Sequence, residues 1–172
     1  MAGPPLMKAA TAEIATDEEL GGAALHTSVA GTAEYIAEND ADGIRIARDL
    51  VSRLNWQAGV APTPARHWAE PLYPSDELLG IVPNDSKKPY DVRDIIARLV
   101  DGSDYLDFKY AWDQGTVCGF AAIEGFQIGI IGNNGPITPQ GAAKAAQFIQ
   151  LCEQSGRPLL FLHNTTGFLV GT

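Results

Sequence analysis

The residues best placed to do chemistry in this sequence are glycines and their neighbours, not acid–base side chains. Glycine-rich turns occur at Gly21-Gly22-Ala23, at Gly129-Ile-Ile-Gly-Asn-Asn-Gly135 and at Gly167-Phe168-Leu169-Val170-Gly171. A glycine lets the backbone approach a ligand closely, so that peptide N–H groups can meet a developing oxyanion or a cofactor. The same residue also serves ordinary turns, and that reading stands beside the first. Other constellations are missing from the sequence. There is no Gly-x-Ser-x-Gly elbow, no phosphate-cradling Gly-x-x-x-x-Gly-Lys and no His-Glu-x-x-His. His26, His67 and His163 lack metal-ligand spacing, so no metal is expected. His26 reads as a hydrogen-bonded structural histidine. His163, ending an apolar run, reads as the partner of a backbone group. Asn164-Thr165-Thr166 matches a glycosylation sequon but has no secretory context.

Elements that would carry these turns are legible in the spacing. A short helical stretch within 3–22 leads to Thr16-Asp-Glu-Glu19, which has the form of a capping box. Gly21-Gly22 is expected to end that turn in the left-handed conformation. Val29 to Ile36 carries no clear pattern. Asn39 to Leu54 is an amphipathic helix: Asp40 and Asp42 lie at its N-terminus, and Ile44, Ala47, Leu50, Val51 and Leu54 recur at helical spacing. The proline-bearing stretch around Pro62, Pro64 and Pro71 reads as a linker, and the main boundary is placed there, at 57–71.

Beyond the linker, Asp91 caps a helix to about Val100, stopped by Asp101-Gly102. Tyr105 to Lys109 reads as a strand. Val117 to Ile123 and Phe126 to Ile131 form a hairpin about Glu124-Gly125. Thr138-Pro139 opens a further helix, with Gly156 just past its end, and Leu159 to Leu162 is a compact apolar strand. Hairpin, helix and buried strand make a ββα unit of an α/β fold. The chain stops just after a glycine-bracketed loop, where such a unit would enter its next helix, so a fragment is expected.

Composition narrows the function class. The 172 residues are 45% apolar and 19% charged, in the globular range. Twelve Lys and Arg against 21 Asp and Glu give a formal charge of −9, the wrong sign for a nucleic-acid binder. No apolar run reaches the roughly 18–20 residues that cross a bilayer, and Met1 to Lys8 has no signal-peptide character. Cys118 and Cys152 read as reduced, buried thiols of a cytosolic or organelle-matrix protein.

Six stretches, AGPPLMKAAT, EELGGAALH, EPLYPSDELLGIVP, YDVRDIIARLVDGSDYLDFK, GFQIGIIGNNG and LLFLHNTTGFLVG, occur in this order and cover most of the chain outside the linker. Together they resemble the carboxyltransferase (β) subunit of biotin-dependent acyl-CoA carboxylases. The loop NTTGFLVG looks closer to the methylcrotonyl-CoA and geranyl-CoA branch than to the propionyl-CoA branch, where Pro-Gly-Phe-Leu-Pro-Gly is expected. The resemblance implies a crotonase-like α/β fold of ββα units in two halves. Residues 1–56 would end the N-terminal, acyl-CoA-binding half, and 72–172 would begin the C-terminal, carboxybiotin-binding half. The glycine-rich oxyanion loops of both halves would lie outside this chain, so it is expected to be inactive alone.

By the same resemblance, carboxybiotin on a carrier domain supplies both the carboxyl group and the base, which accounts for the lack of a catalytic His or Asp. Gly167, Phe168, Leu169, Val170 and Gly171 would line the biotin side, with Asn134 and Gly135 as further candidates. For Phe168 and Leu169 a plain core role is the competing reading. Implied partners are an acyl-CoA, a biotin carboxylase or biotin carrier subunit, and further copies of the full-length subunit, in the cytoplasm or a mitochondrial matrix. Two other readings stay open: the carboxyltransferase of a sodium-pumping, biotin-dependent acyl-CoA decarboxylase, and a non-catalytic binding or assembly module.

Overall fold

Residues 116–133 fold back on themselves where Glu124 and Gly125 take positive φ, 48° and 78°, as a tight two-residue hairpin turn requires. Asp101 holds this turn from outside, its carboxylate accepting the N–H of Glu124 at 2.8 Å and of Gly125 at 2.7 Å. The protein is described by a computed structural model over residues 3–54, 68–85, 88–165 and 167–169. In chain order the elements are α1 (Pro4–Thr11), α2 (Asp17–Gly21), a π-helical turn (Leu25–Val29), α3 (Asp40–Arg53), a 3₁₀ turn (Ser75–Glu77), α4 (Leu78–Ile81), α5 (Val92–Ile96), a second 3₁₀ turn (Asp101–Ser103), β1 (Leu106–Asp107), β2 (Thr116–Ile123), β3 (Phe126–Asn133), α6 (Pro139–Gln154) and β4 (Leu159–Leu162).

Among the described residues the strands form one sheet in the order β1-β2-β3-β4. The hairpin pairs Thr116 with Asn133 and Ile123 with Phe126. After α6 crosses over, β4 lies parallel to β3, with Gly129 facing Leu159 and Gly132 facing Leu162. Strand alternation divides the core between the two faces of the sheet. Val117, Ala121, Ile128 and Ile130 pack with Val92, Ile96 and Val100 on one face. Cys118 and Ile131 pack with Phe108, Phe148 and Cys152 on the other. Both cysteines are buried free thiols, as expected.

Several caps follow the sequence closely. Thr16 and Glu19 form the reciprocal capping box, Thr16 N–H donating to Glu19 Oε2 at 2.8 Å and Glu19 N–H to Thr16 Oγ1 at 3.2 Å. Asn39 caps α3, Asp91 caps α5, and Thr138 caps α6. Other expectations need correction. Gly22 ends α2 in an extended conformation, φ −68°, not a left-handed one; its glycine is required because a Cβ would collide with Glu18. The strand expected at 105–109 is only Leu106–Asp107, because the chain turns away at Lys109, φ 51°. The helix expected to reach Val100 is α-helical only to Ile96, then tightens: the N–H of Arg98 donates to Ile95 and that of Leu99 to Ile96. The amphipathic face of α3 is only partly covered: Leu50 is half-buried, but Ile44 and Val51, and Leu54 at the C-cap, are exposed. The linker expected at 57–71 lies outside the described residues as far as His67.

Candidate functional site

Because β3 and β4 run parallel, their carboxyl ends open on the same edge of the sheet, the edge where ligands meet α/β sheets. Both glycine-rich segments emerge there, Asn133-Asn134-Gly135 from β3 and the 163–169 segment from β4. Ile137 ties them together. Its N–H donates to Gly167 O at 2.9 Å, and its carbonyl accepts the N–H of Leu169 at 2.9 Å. Phe168 is thereby bridged in parallel to Ile137, and in that pairing its own N–H and C=O turn to the opposite side.

Thr165 shapes the approach. Its hydroxyl accepts the N–H of Gly167 at 3.1 Å and donates to Gly167 O at 3.1 Å, a Ser/Thr turn legible in the Thr-x-Gly spacing. Gly167 sits at φ +126° with open space where a Cβ would be, so conformation, not crowding, calls for glycine here. Phe168 and Leu169 are 74% and 57% exposed in this chain. Val170 and Gly171 lie outside the described residues.

Asn134 is turned to another task. Its N–H donates to Gly115 O at 2.8 Å. Its Oδ1 accepts the N–H of Val92 at 2.8 Å, and its Nδ2 donates to Asp91 Oδ1 at 2.9 Å. Burial favours the protonated form of Asp91, but the N–H of Arg93, the Asn134 amide and the Arg93 charge together hold its pKa below the ordinary value. Arg93 continues inward to Asp107, Nε to Oδ2 at 2.6 Å, where burial raises the Asp107 pKa in spite of that partner. Gly135 is half-buried, with open space where a Cβ would stand.

Among the described residues, which do not include His67, the histidines form no ligand cluster at this edge. His26 Nδ1 is hydrogen-bonded to Thr32 Oγ1 at 2.7 Å, the structural role expected. His163 is exposed, with its ring 5.9 Å from that of Phe161; the expectation that it satisfies a buried backbone group is therefore corrected. From Asn164 to Leu169 no side chain titrates. The segment can offer a backbone donor beside apolar surface, which suits stabilising an acceptor oxygen and not proton transfer. Ile137 was not legible as a site residue, since its role comes from pairing with a strand thirty residues on.

The model of the carboxyl transferase domain matches residues 1–172. The chain belongs to this family. Among carboxyl transferase relatives, it is 51% identical over 171 residues to the methylcrotonoyl-CoA carboxylase beta chain of Dictyostelium discoideum, covering 99% of this chain and 29% of that one. It is 69% identical to the beta subunit of P. aeruginosa geranyl-CoA carboxylase, with a TM-score of 0.61 over 99% of this chain and 32% of that one. A transcarboxylase 12S structure, described as a hexamer with methylmalonyl-coenzyme A bound, superposes with a TM-score of 0.91 at 36% identity, over 99% of this chain and 34% of that one. The chain thus spans about a third of the length of these proteins. The fold is that of carboxyl transferase domains, crotonase-like as expected. Relatives include mitochondrial and bacterial proteins, and among the described residues no helix is long and apolar enough to cross a membrane.

Proposed function

We propose that this chain is part of a carboxyltransferase that moves a carboxyl group from carboxybiotin, held on a carrier domain, to an acyl-CoA thioester of the methylcrotonyl-CoA or geranyl-CoA kind. The observation that carries the reading is the segment 167–169, held against Ile137 with the Phe168 N–H turned outward beside exposed Phe168 and Leu169. Biotin's ring system is uncharged, with a urea carbonyl to accept a hydrogen bond and an apolar flank, so these residues fit it. When bound, the carboxylated cofactor supplies the carboxyl group and the base. The chain's own part is to donate from the Phe168 N–H, to exclude water with Phe168 and Leu169, and to keep the loop in register through Gly167. By the family resemblance, Val170 and Gly171 are assigned to the same biotin side. Gly135 is a further candidate at the same sheet edge, whereas the Asn134 side chain is engaged with Val92 and Asp91.

In this reading residues 1–56 close the acyl-CoA-binding half, 57–71 connect, and 72–172 open the carboxybiotin-binding half. The full-length subunit is a homo-oligomer working with a biotin carboxylase or carrier subunit in the cytoplasm or mitochondrial matrix. The hexamer described for the transcarboxylase neighbour supports the homo-oligomer. With about a third of its relatives' length, the chain alone carries no carboxylation.

The test uses the full-length enzyme with Gly167→Ala and Gly171→Ala. Turnover with biotin should fall by about 10²–10³-fold, as when an oxyanion donor is displaced, while acyl-CoA binding is kept. Wild-type turnover in both variants would reduce the loop to a plain turn.

A further inference from the structure

Lys144 is a lysine in α6 with no exposed surface. A buried ammonium is costly unless its protons find acceptors, and here Nζ donates to the carbonyls of Trp112 at 2.9 Å and Asp113 at 3.3 Å. Those two carbonyls belong to a sharp turn in which Asp113 has φ 46°. The Asp113 carboxylate spends its two oxygens on different donors. Oδ1 accepts the hydroxyl of Thr138 at 2.6 Å, and Oδ2 accepts the N–H of Thr116 at 3.0 Å. Thr138 Oγ1 in turn accepts the N–H of Gly141 at 2.9 Å, capping α6. Gly141 is closed in by the same groups, since a Cβ there would overlap Thr116 Oγ1 and Asp113 Oδ2. The residue before Thr138 is Ile137, whose N–H and C=O hold Gly167 and Leu169.

We infer that Lys144 and Asp113 are positioning residues for the 167–169 segment: Lys144 fixes the Trp112–Asp113 turn, Asp113 fixes Thr138, and Ile137 beside it sets where the segment lies. They act through the backbone, over a path that joins the start of β2, the N-terminus of α6 and the loop after β4. The consequence for turnover rests on the biotin-side reading of that loop; the structural half of the inference does not.

Asp113→Asn is the discriminating variant. Asparagine tolerates positive φ, so the turn is not strained, but an amide offers one acceptor where the carboxylate offers two. Its Nδ2 must therefore turn toward the Thr116 N–H, or toward Thr138 Oγ1 and reverse that bond, so that the hydroxyl proton loses its acceptor. In the 172-residue chain, amide hydrogen exchange at Ile137 and Leu169 should quicken by at least about tenfold in Asp113→Asn and Thr138→Val, with the amides of the β2–β3 hairpin beyond Thr116, whose own N–H is bound to Asp113, unchanged. Thr138→Ser keeps the hydroxyl and should restore near wild-type exchange, and Lys144→Met should behave as Asp113→Asn does. Unchanged exchange at Ile137 and Leu169, or an equal rise at every amide, would overturn the inference. In the full-length enzyme, Asp113→Asn should lower turnover with biotin by about tenfold or more and leave the KM for acyl-CoA alone. Local loosening with full biotin turnover would uphold the positioning role and refute the biotin-side reading instead.

Discussion

Asn134 binds Asp91 side chain to side chain, Nδ2 to Oδ1 at 2.9 Å, across forty-three residues of sequence. Together with the bond from the Val92 N–H to Asn134 Oδ1, this locks the first turn of α5 to the carboxyl end of β3. Val92 is 1% exposed, so removing its acceptor would strand a buried donor. Asn134→Ala should cost about 1–3 kcal/mol in denaturant unfolding with the slope unchanged. Asn134→Asp should be worse above the Asp91 pKa, where two carboxylates would face each other. A loss under about 0.5 kcal/mol for the alanine variant would mean that the lock carries no load.

Alkaline pH should destabilise the fold through its buried acids. Burial pushes the Cys118 thiol from 9.0 up to about 12 and the Cys152 thiol up to about 11, and it raises Tyr35 to about 12. Each folded pKa is raised, so the neutral form is favoured in the native state, and the unfolded chain loses these protons first. Stability from these groups is intact below pH 9 and falls as pH rises from there toward 12, by up to about 1.4 kcal/mol per pH unit for each group. Unfolding free energies measured from pH 8 to 11 check this. A thiol reagent at pH 8 should label neither cysteine until the chain unfolds.

Gly31 holds φ +63° against the indole of Trp112, with no room for a Cβ. Lys109, 3% exposed, donates from Nζ to the Gly31 carbonyl and lies 5.2 Å from the Trp112 ring. This contact docks the segment after the π-helical turn onto the turn between β1 and β2. Gly31→Ala combines strained φ with overlap and should cost about 1–3 kcal/mol. The Trp112 indole N–H resonance should shift as the docking loosens. An unmoved resonance at unchanged stability would refute the docking.

The uncovered face of α3 should make the 172-residue chain self-associate. Ile44 and Val51 on α3 and Leu54 at its C-cap are 62%, 64% and 52% exposed, and β4 has its second edge unpaired among the described residues. Binding of a hydrophobic dye and concentration-dependent elution are expected at micromolar concentration. Ile44→Glu with Val51→Glu should reduce both. A strictly monomeric, dye-silent chain would show that the face needs no cover.

What the sequence alone determined is what four or five consecutive residues can settle. The reciprocal Thr16–Glu19 bonds, the caps at Asp91 and Thr138, the Glu124-Gly125 turn and the glycine bracketing of the 167–171 loop all depend on atoms that the covalent chain keeps within reach. The six family stretches were legible for the same reason, as local strings. The tertiary structure decided the rest. Lysine 144 reads as one polar residue on a helix, yet it is fully buried because two carbonyls from 31 and 32 residues earlier receive its protons. Asn134 reads as a loop amide, yet its donors and acceptors are spent on the start of α5. The hydrophobic spacing of α3 announced an apolar face correctly, but spacing is a property of one helix and says nothing of whether another surface covers it. The position of Phe168 depends on Ile137, and that pairing exists only once α6 has carried the chain across the sheet and brought β4 alongside β3.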